Sequence, residues 1–284
     1  MIGGVPLAVV FQVAALGAVI AVLYGQAFAD LASQWAADEN YSHGFVIPLI
    51  SAYLVWERRH ALSRCRVQGS AWGYALLLLA VALLILGQAA TFGYPVRLSF
   101  ILVLAGLTLY LAGGQVLRIL AFPFAYLLFM IPLPAPVLTK VALPLQLFAA
   151  RVATGVLDVL NVPVLREGNV IDLATIRLDV VEACSGIRSL IALLALATIF
   201  AYFTQRTWRG RLTLVLSAIP IAVVANAARV TLTGVLTQTF GLAAAMGFYH
   251  EFSGLLVFGL AFALMVATGW MITRVDTASA KTPA

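Results

Sequence analysis

The sequence predicts an all-α polytopic membrane protein of about eight transmembrane helices, with a small outer α/β-hairpin insertion. Three observations carry this. Hydrophobic residues make up 63% of the 284-residue chain and charged residues only 10%, with a mean hydropathy of +1.04. Soluble domains run at about 45–50% apolar and about 25% charged residues. The apolar residues fall in long unbroken runs rather than in period-two alternation, which favours helices over a closed barrel. The basic residues concentrate in two short loops, "ERRHALSRCR" and "QRTWRGR", as expected of loops kept on the cytoplasmic side.

Taken in order, with about 20 residues as the yardstick for a span, the runs are Val5–Phe28, Gly44–Trp56, Ala71–Ala90, Val96–Ala112, Ile119–Leu133, Ile187–Thr204, Leu212–Gln238 and Phe252–Thr273. The second and fifth are short. The first has no basic stretch before it and is expected to be a retained span, not a cleaved signal peptide. With the N-terminus inside, Arg58, Arg59, Arg64, Arg66, Arg118, Arg206, Arg209, Arg211, Arg274 and Lys281 all fall inside, and most of the acids fall outside. The formal net charge of +6 is thus an orientation signal, and no nucleic-acid partner is expected. The whole of residues 1–284 is expected to form a single membrane-embedded domain, with residues 134–182 as its one sizeable outer insertion.

That insertion opens with "VLTKVALPLQLFAARVATGVLDVL", a run with helical apolar spacing expected to lie along or dip into the outer interface. "VLREGNVIDL" and "IRLDVV" follow as β-type runs, with a turn at Gly168–Asn169 whose type stays open. The two cysteines fall on opposite sides, Cys65 in an inner loop and Cys184 at an outer helix end, so they cannot bridge within one chain.

Three polar residues converge on the outer leaflet: Cys184 at the start of the sixth span, Arg229 in the seventh and His250 at the start of the eighth. A free cysteine is commonly an inert buried residue. Cys184, however, stands at a helix N-terminus with Arg188 one turn on, where a thiolate is favoured. An arginine inside a span is costly and normally faces protein or water. With Asn226 on the same face, Arg229 suits either a structural role or the binding of a thiolate or oxyanion. His250 could cap a helix or move a proton, and cysteine with histidine is the usual nucleophile and base pair. Glu251 could orient the ring or favour the helix N-terminus. His43, in "YSHGF", is the rival base, and Ser185 the rival nucleophile, although the glycine-x-serine-x-glycine pattern of a serine elbow is absent. Glu182 is a candidate partner for Arg229, and Arg188 for a substrate carboxylate. No histidine, cysteine and carboxylate cluster has ligand spacing, so no metal or other cofactor is expected.

"EACSGIRSL", "NAARVTLTG" and "HEFSG", in that order, resemble the exosortase family, the exosortase and archaeosortase membrane transpeptidases that act on PEP-CTERM sorting signals. "NYSHGFVIPLISAYLVWERR", "IPLP", "PLQL" and "REGNVIDL" extend the resemblance over most of the chain. Ile187 stands where leucine is common, and "NAAR" where "NALR" is frequent. Neither departure touches a reactive group. Some relatives carry a further C-terminal outer domain, which this chain is expected to lack, since it ends soon after Thr273. The resemblance implies a bacterial inner-membrane enzyme with a periplasmic active site. Its catalytic cysteine, arginine and histidine would be Cys184, Arg229 and His250. Its substrates would be secreted proteins bearing a tail of a Pro-Glu-Pro motif, a spanning helix and a basic cluster, with a link to exopolysaccharide assembly. Expected partners are those tailed proteins, membrane lipid and an acceptor of unspecified kind. Two rivals remain: a transporter or polysaccharide-export component, disfavoured because the inner halves of the spans are mostly aliphatic, and a membrane acyltransferase using His43 or His250 without Cys184.

Overall fold

The computed structural model describes residues 7–173, 177–179, 187–241 and 248–279. They form two compact units, Met1–Leu133 and Pro134–Ala284. Among the described residues, seven helices are long and apolar enough to cross a membrane. Their outward faces are unmistakably lipid-type: Val22 is 84% exposed, Leu255 72% and Trp270 59%. Apolar exposure on that scale suits a hydrocarbon surround and not water. The chain is a multi-pass membrane protein.

The first unit begins with α1 (Leu7–Ala37), followed by a 3-10 turn (Glu39–Phe45), α2 (Val46–Glu57) and the short α3 (Arg59–Ser63). Next come α4 (Trp72–Ala89), α5 (Gly93–Leu111) and α6 (Gly114–Tyr126), which tightens into a 3-10 turn at Leu127–Met130. Buried polar links tie these helices. Tyr24 and Ser99 hydroxyls lie 2.9 Å apart between α1 and α5, and the Ser99 hydroxyl also lies 2.7 Å from the Val96 carbonyl. Ser51 of α2 donates to the Pro123 carbonyl of α6 at 2.8 Å. The span expected at Gly44–Trp56 is only 12 helical residues, about 18 Å at 1.5 Å per residue, well short of the hydrocarbon core. The fifth expected span is a short apolar helix, Gly114–Met130.

The second unit holds α7 (Ala135–Val159), strands β1 (Val164–Glu167), β2 (Val170–Leu173) and β3 (Arg177–Asp179), and helices α8 (Ile187–Thr204), α9 (Trp208–Phe240) and α10 (Phe248–Ser279). The strands form an antiparallel sheet in the order β1-β2-β3, with Glu167 opposite Val170 and Ile171 opposite Leu178. The open turn type is resolved. Gly168 has φ +66° and Asn169 is not in the positive-φ region, the pattern of a two-residue II′ hairpin with glycine first.

The segment expected to lie along or dip into the outer interface is a 25-residue helix of span length. Among the described residues seven helices thus reach span length, with two of the eight expected spans shorter and this one added. Its direction follows from its contacts. Leu145 borders Ala222 and Asn226. Ala149, Ala150 and Ala153 pack with Ala227 and Val230, and Leu157 packs on Gly234. Residue numbers rise together, so this part of α7 runs parallel to α9. Helix α10 runs the other way: Gly254 meets Arg229 and Gly269 meets Leu214, while Asp276 binds Thr207. Helix α8 is also antiparallel to α9, with Leu190 beside Asn226 and Phe200 beside Gly269. One end of this unit thus gathers the end of α7, the sheet, and the starts of α8 and α10. Ile171 and Leu173 of β2 seal it by packing into the Ala149–Leu157 and Ala227–Val230 core.

Candidate functional site

Helix α9 supplies the best-defined part of the site. Its N-cap is Thr207, whose hydroxyl accepts from the Gly210 amide at 2.9 Å and donates to Asp276 at 2.6 Å. At the same end Gln205, only 3% exposed, donates to the Gly269 carbonyl at 3.1 Å. These contacts pin the register of α8, α9 and α10 at the end away from the sheet. The small residues Ala218, Ala222 and Ala225 then allow α9 to pack closely on its neighbours.

That register sets Arg229 against α10. A Cβ built on Gly254 would lie 3.2 Å from one terminal guanidinium nitrogen and 3.5 Å from its central carbon. The planar guanidinium therefore lies over the bare backbone at Gly254, and a larger side chain there would displace it. Gly254 escaped attention as a site residue. Its signal was the glycine of "HEFSG", one turn after His250 and hence on the same helical face. Asn226, 5% exposed, lies three residues before Arg229, and its side-chain nitrogen has no hydrogen-bond partner among the described residues. It borders Leu145, Ala222, Val223 and Leu190 at a tight seam with no room for a water molecule.

His250 and Glu251 are the third and fourth residues of α10, and their placement is described by backbone alone. Arg188 is the second residue of α8, half-buried, two residues before Leu190. Cys184, its rival Ser185, and Glu182 lie outside the described residues. Cys184 precedes the first residue of α8 by three positions. The structure thus brings together Asn226, Arg229 and the start of α10, with the start of α8 beside Asn226.

His43 belongs to the other unit. It sits in the 3-10 turn capped by Asp38, whose carboxylate accepts from the Asn40 amide at 2.9 Å and from the Asn40 side chain at 2.7 Å. The turn is held by close packing: any side chain at Gly44 would run into the Trp35 indole, which donates to the Met130 carbonyl at 2.9 Å. Burial pushes the His43 imidazole below its ordinary value of 6.5, against the opposing pull of the Phe129 and Asn40 carbonyls. Such a ring is neutral at pH 7 and able to accept a proton.

Among the described residues no group of three or more histidine, cysteine, aspartate and glutamate side chains could hold a metal ion. An arginine held flat over a glycine is a fixed cation with a planar fork of donors, suited to a carboxylate, a thiolate or a developing oxyanion.

No curated protein and no solved structure matches the chain. A family model described as transmembrane exosortase matches residues 35–267. The match takes in the 3-10 turn of His43, the hairpin, and the helix ends that carry Arg229, His250 and Gly254, and by this measure the chain belongs to the transmembrane exosortase family.

Proposed function

We propose that this protein is a membrane cysteine transpeptidase or protease that removes the C-terminal sorting tail of exported proteins. The observation that carries the reading is the seat of Arg229 over Gly254, one turn from His250. It lies at the end of the unit where α8 begins, three residues after Cys184. Membership of the exosortase family supports a transpeptidase-type enzyme in general. The finer assignments, namely a Pro-Glu-Pro tail, a thioester and a link to exopolysaccharide assembly, rest on the sequence motifs.

In this mechanism the Cys184 thiolate attacks a backbone carbonyl near the tail motif. Arg229 binds the thiolate or the oxyanion that forms. The tetrahedral adduct collapses by breaking the C–N bond, and His250 delivers a proton to the departing amine. The acyl group is then a thioester on Cys184. An acceptor nucleophile or water attacks it and gives its proton to the His250 imidazole, and breaking of the C–S bond releases Cys184 as the thiolate beside the imidazolium, the pair with which the cycle began. Glu182, Arg188, Asn226 and Glu251 are supporting residues. The tail's spanning helix lies among the enzyme's helices with its basic end in the cytoplasm, which holds the motif at the periplasmic face of the inner membrane. That proximity lets a short motif suffice.

Trapping tests the reading. A tailed reporter is co-expressed with the enzyme, and Cys184 peptides are analysed by mass spectrometry after rapid acid quench. The expected result is an acyl adduct on Cys184, lost in Cys184→Ala together with tail removal, while the variant still accumulates in the membrane. Normal tail removal by Cys184→Ala would overturn the nucleophile.

A further inference from the structure

The first unit holds an open crevice of about 420 Å³ between α1, the end of α4 and the start of α5. That volume is within the roughly 300–1,000 Å³ range of small-molecule sites. Two ionisable residues line the crevice, Asp30 of α1 and Arg97 of α5. Both stand inside helices of span length. Ionisable residues in such helices normally pair with one another or serve a ligand. These two feel each other's charge across the crevice, but they form no ion pair among the described residues.

Each is held by a neutral neighbour instead. Asp30 accepts from the Gln26 side chain, one turn earlier on α1, at 2.8 Å. Arg97 donates from one terminal nitrogen to the Gln34 side chain at 3.0 Å. A Cβ built on Gly93 would lie 3.5 Å from the other terminal nitrogen, so the guanidinium reaches back over the bare first residue of α5. A guanidinium carries five donors, and most of these are left for a ligand. The rim is fixed by the turn between α4 and α5. There the Phe92 and Thr91 amides donate to the Gly87 and Gln88 carbonyls at 2.8 and 3.1 Å, which holds Gln88 and Thr91 at the edge of the crevice.

The lining changes polarity along α1. Leu23 comes first, then Gln26 and Asp30, with Gln34 one turn beyond. The surface beside the crevice is apolar and exposed, at Leu23, Leu86 and Phe92. Helix α4 leads away from the basic loop of Arg58–Arg66 and meets the crevice at its far end. By the positive-inside rule that end belongs to the outer leaflet. A matching ligand has a polar head toward the helix ends and an apolar body toward the bilayer centre, which is the form of a lipid. Charge complementarity selects the head. Arg97 suits a phosphodiester, Asp30 suits an ammonium, and the two charges sum to zero, as they do in a zwitterion. We propose that this crevice binds a lipid with a phosphoethanolamine headgroup, its phosphate on Arg97, its ammonium on Asp30 and its acyl chains along the exposed apolar surface beside Leu23. A choline head keeps the charges but has no N–H to give Asp30, and a glycerol head lacks the positive charge. The site rests on the membrane class of the chain and is independent of the peptide chemistry proposed above.

In the test, dioleoyl lipids with ethanolamine, choline or glycerol headgroups are titrated into the delipidated full chain, and bound lipid is counted by native mass spectrometry. The ethanolamine lipid should bind about 3- to 10-fold more tightly than either of the others. Arg97→Gln should weaken its binding by at least about tenfold. Asp30→Asn should remove the preference for ethanolamine while choline-lipid binding stays as in the wild type, a pattern that misfolding does not produce. Soluble glycerophosphoethanolamine at equal concentration should not displace the lipid. Equal binding of the three lipids by the wild-type chain overturns the site, as does an ethanolamine preference that survives Asp30→Asn. Displacement by the soluble headgroup at equal concentration overturns the lipid and leaves a site for a soluble phosphodiester. If a variant fails to accumulate, the comparison of the three lipids on the wild-type chain decides.

Discussion

Arg229 is positioned by what is missing opposite it. A guanidinium has five donors in a rigid plane, and here that plane lies against Gly254. Two substitutions separate charge from geometry. Arg229→Lys keeps the charge but replaces the fork with a single ammonium, so tail removal should fall nearly as far as in Arg229→Ala. Gly254→Val keeps the arginine and intrudes on its seat, so it should lower kcat by at least tenfold while the protein still accumulates. Processing rates at matched enzyme levels check both. Recovery of most activity by lysine would reduce Arg229 to a point charge, and full activity in Gly254→Val would detach the glycine from the site. Among single residues, the arginine was legible in the sequence because charge inside a span is conspicuous, whereas Gly254 was not, since glycine is common in membrane helices.

Helix α9 is where an element sets the site. Its 33 residues are registered at one end by Thr207, through the Gly210 amide and Asp276, and they deliver Arg229 to Gly254 at the other. Loss of an N-cap hydroxyl costs about 0.5–2 kcal/mol. Thr207→Ala should therefore lower the thermal midpoint in detergent, and Thr207→Ser should recover most of the loss. An unchanged midpoint would show that the cap and its link to Asp276 contribute nothing to the packing of α9 with α10. The positions of α8, α9 and α10 were legible from their apolar runs, with Ile187–Thr204 matching residue for residue. The role of α7 was not. Its apolar and polar residues fit an interfacial helix as well as a packed one, and only the contacts of Leu145, Ala153 and Leu157 with α9 distinguish the two.

For the molecule as a whole, the proposed chemistry requires Cys184 and Cys65 to face different compartments. Cys65 sits half-buried between Arg64 and Arg66, just after α3. The positive-inside rule assigns this basic loop to the cytoplasm. A membrane-impermeant thiol reagent applied to intact spheroplasts should therefore spare Cys65 and label it only after lysis. Its thiol is free and only half-buried, so only the membrane would protect it. Equal labelling of Cys65 in sealed and lysed cells would invert the orientation and place the site on the wrong side for exported substrates.

The sequence by itself determined the membrane class, the approximate helices, the hairpin and the polar residues worth testing. These depend on composition, on apolar run length and on the cost of charge in lipid, all of which are local and additive along the chain. The tertiary structure alone decided that α7 runs parallel to α9, that the Arg229 guanidinium lies over Gly254, and that the Thr233 and Thr237 hydroxyls make no hydrogen bond among the described residues while Thr231 and Thr239 donate to their own helix. Hydropathy does not encode these features, because helix direction, close approach and rotamer depend on which distant residues occupy the neighbouring space.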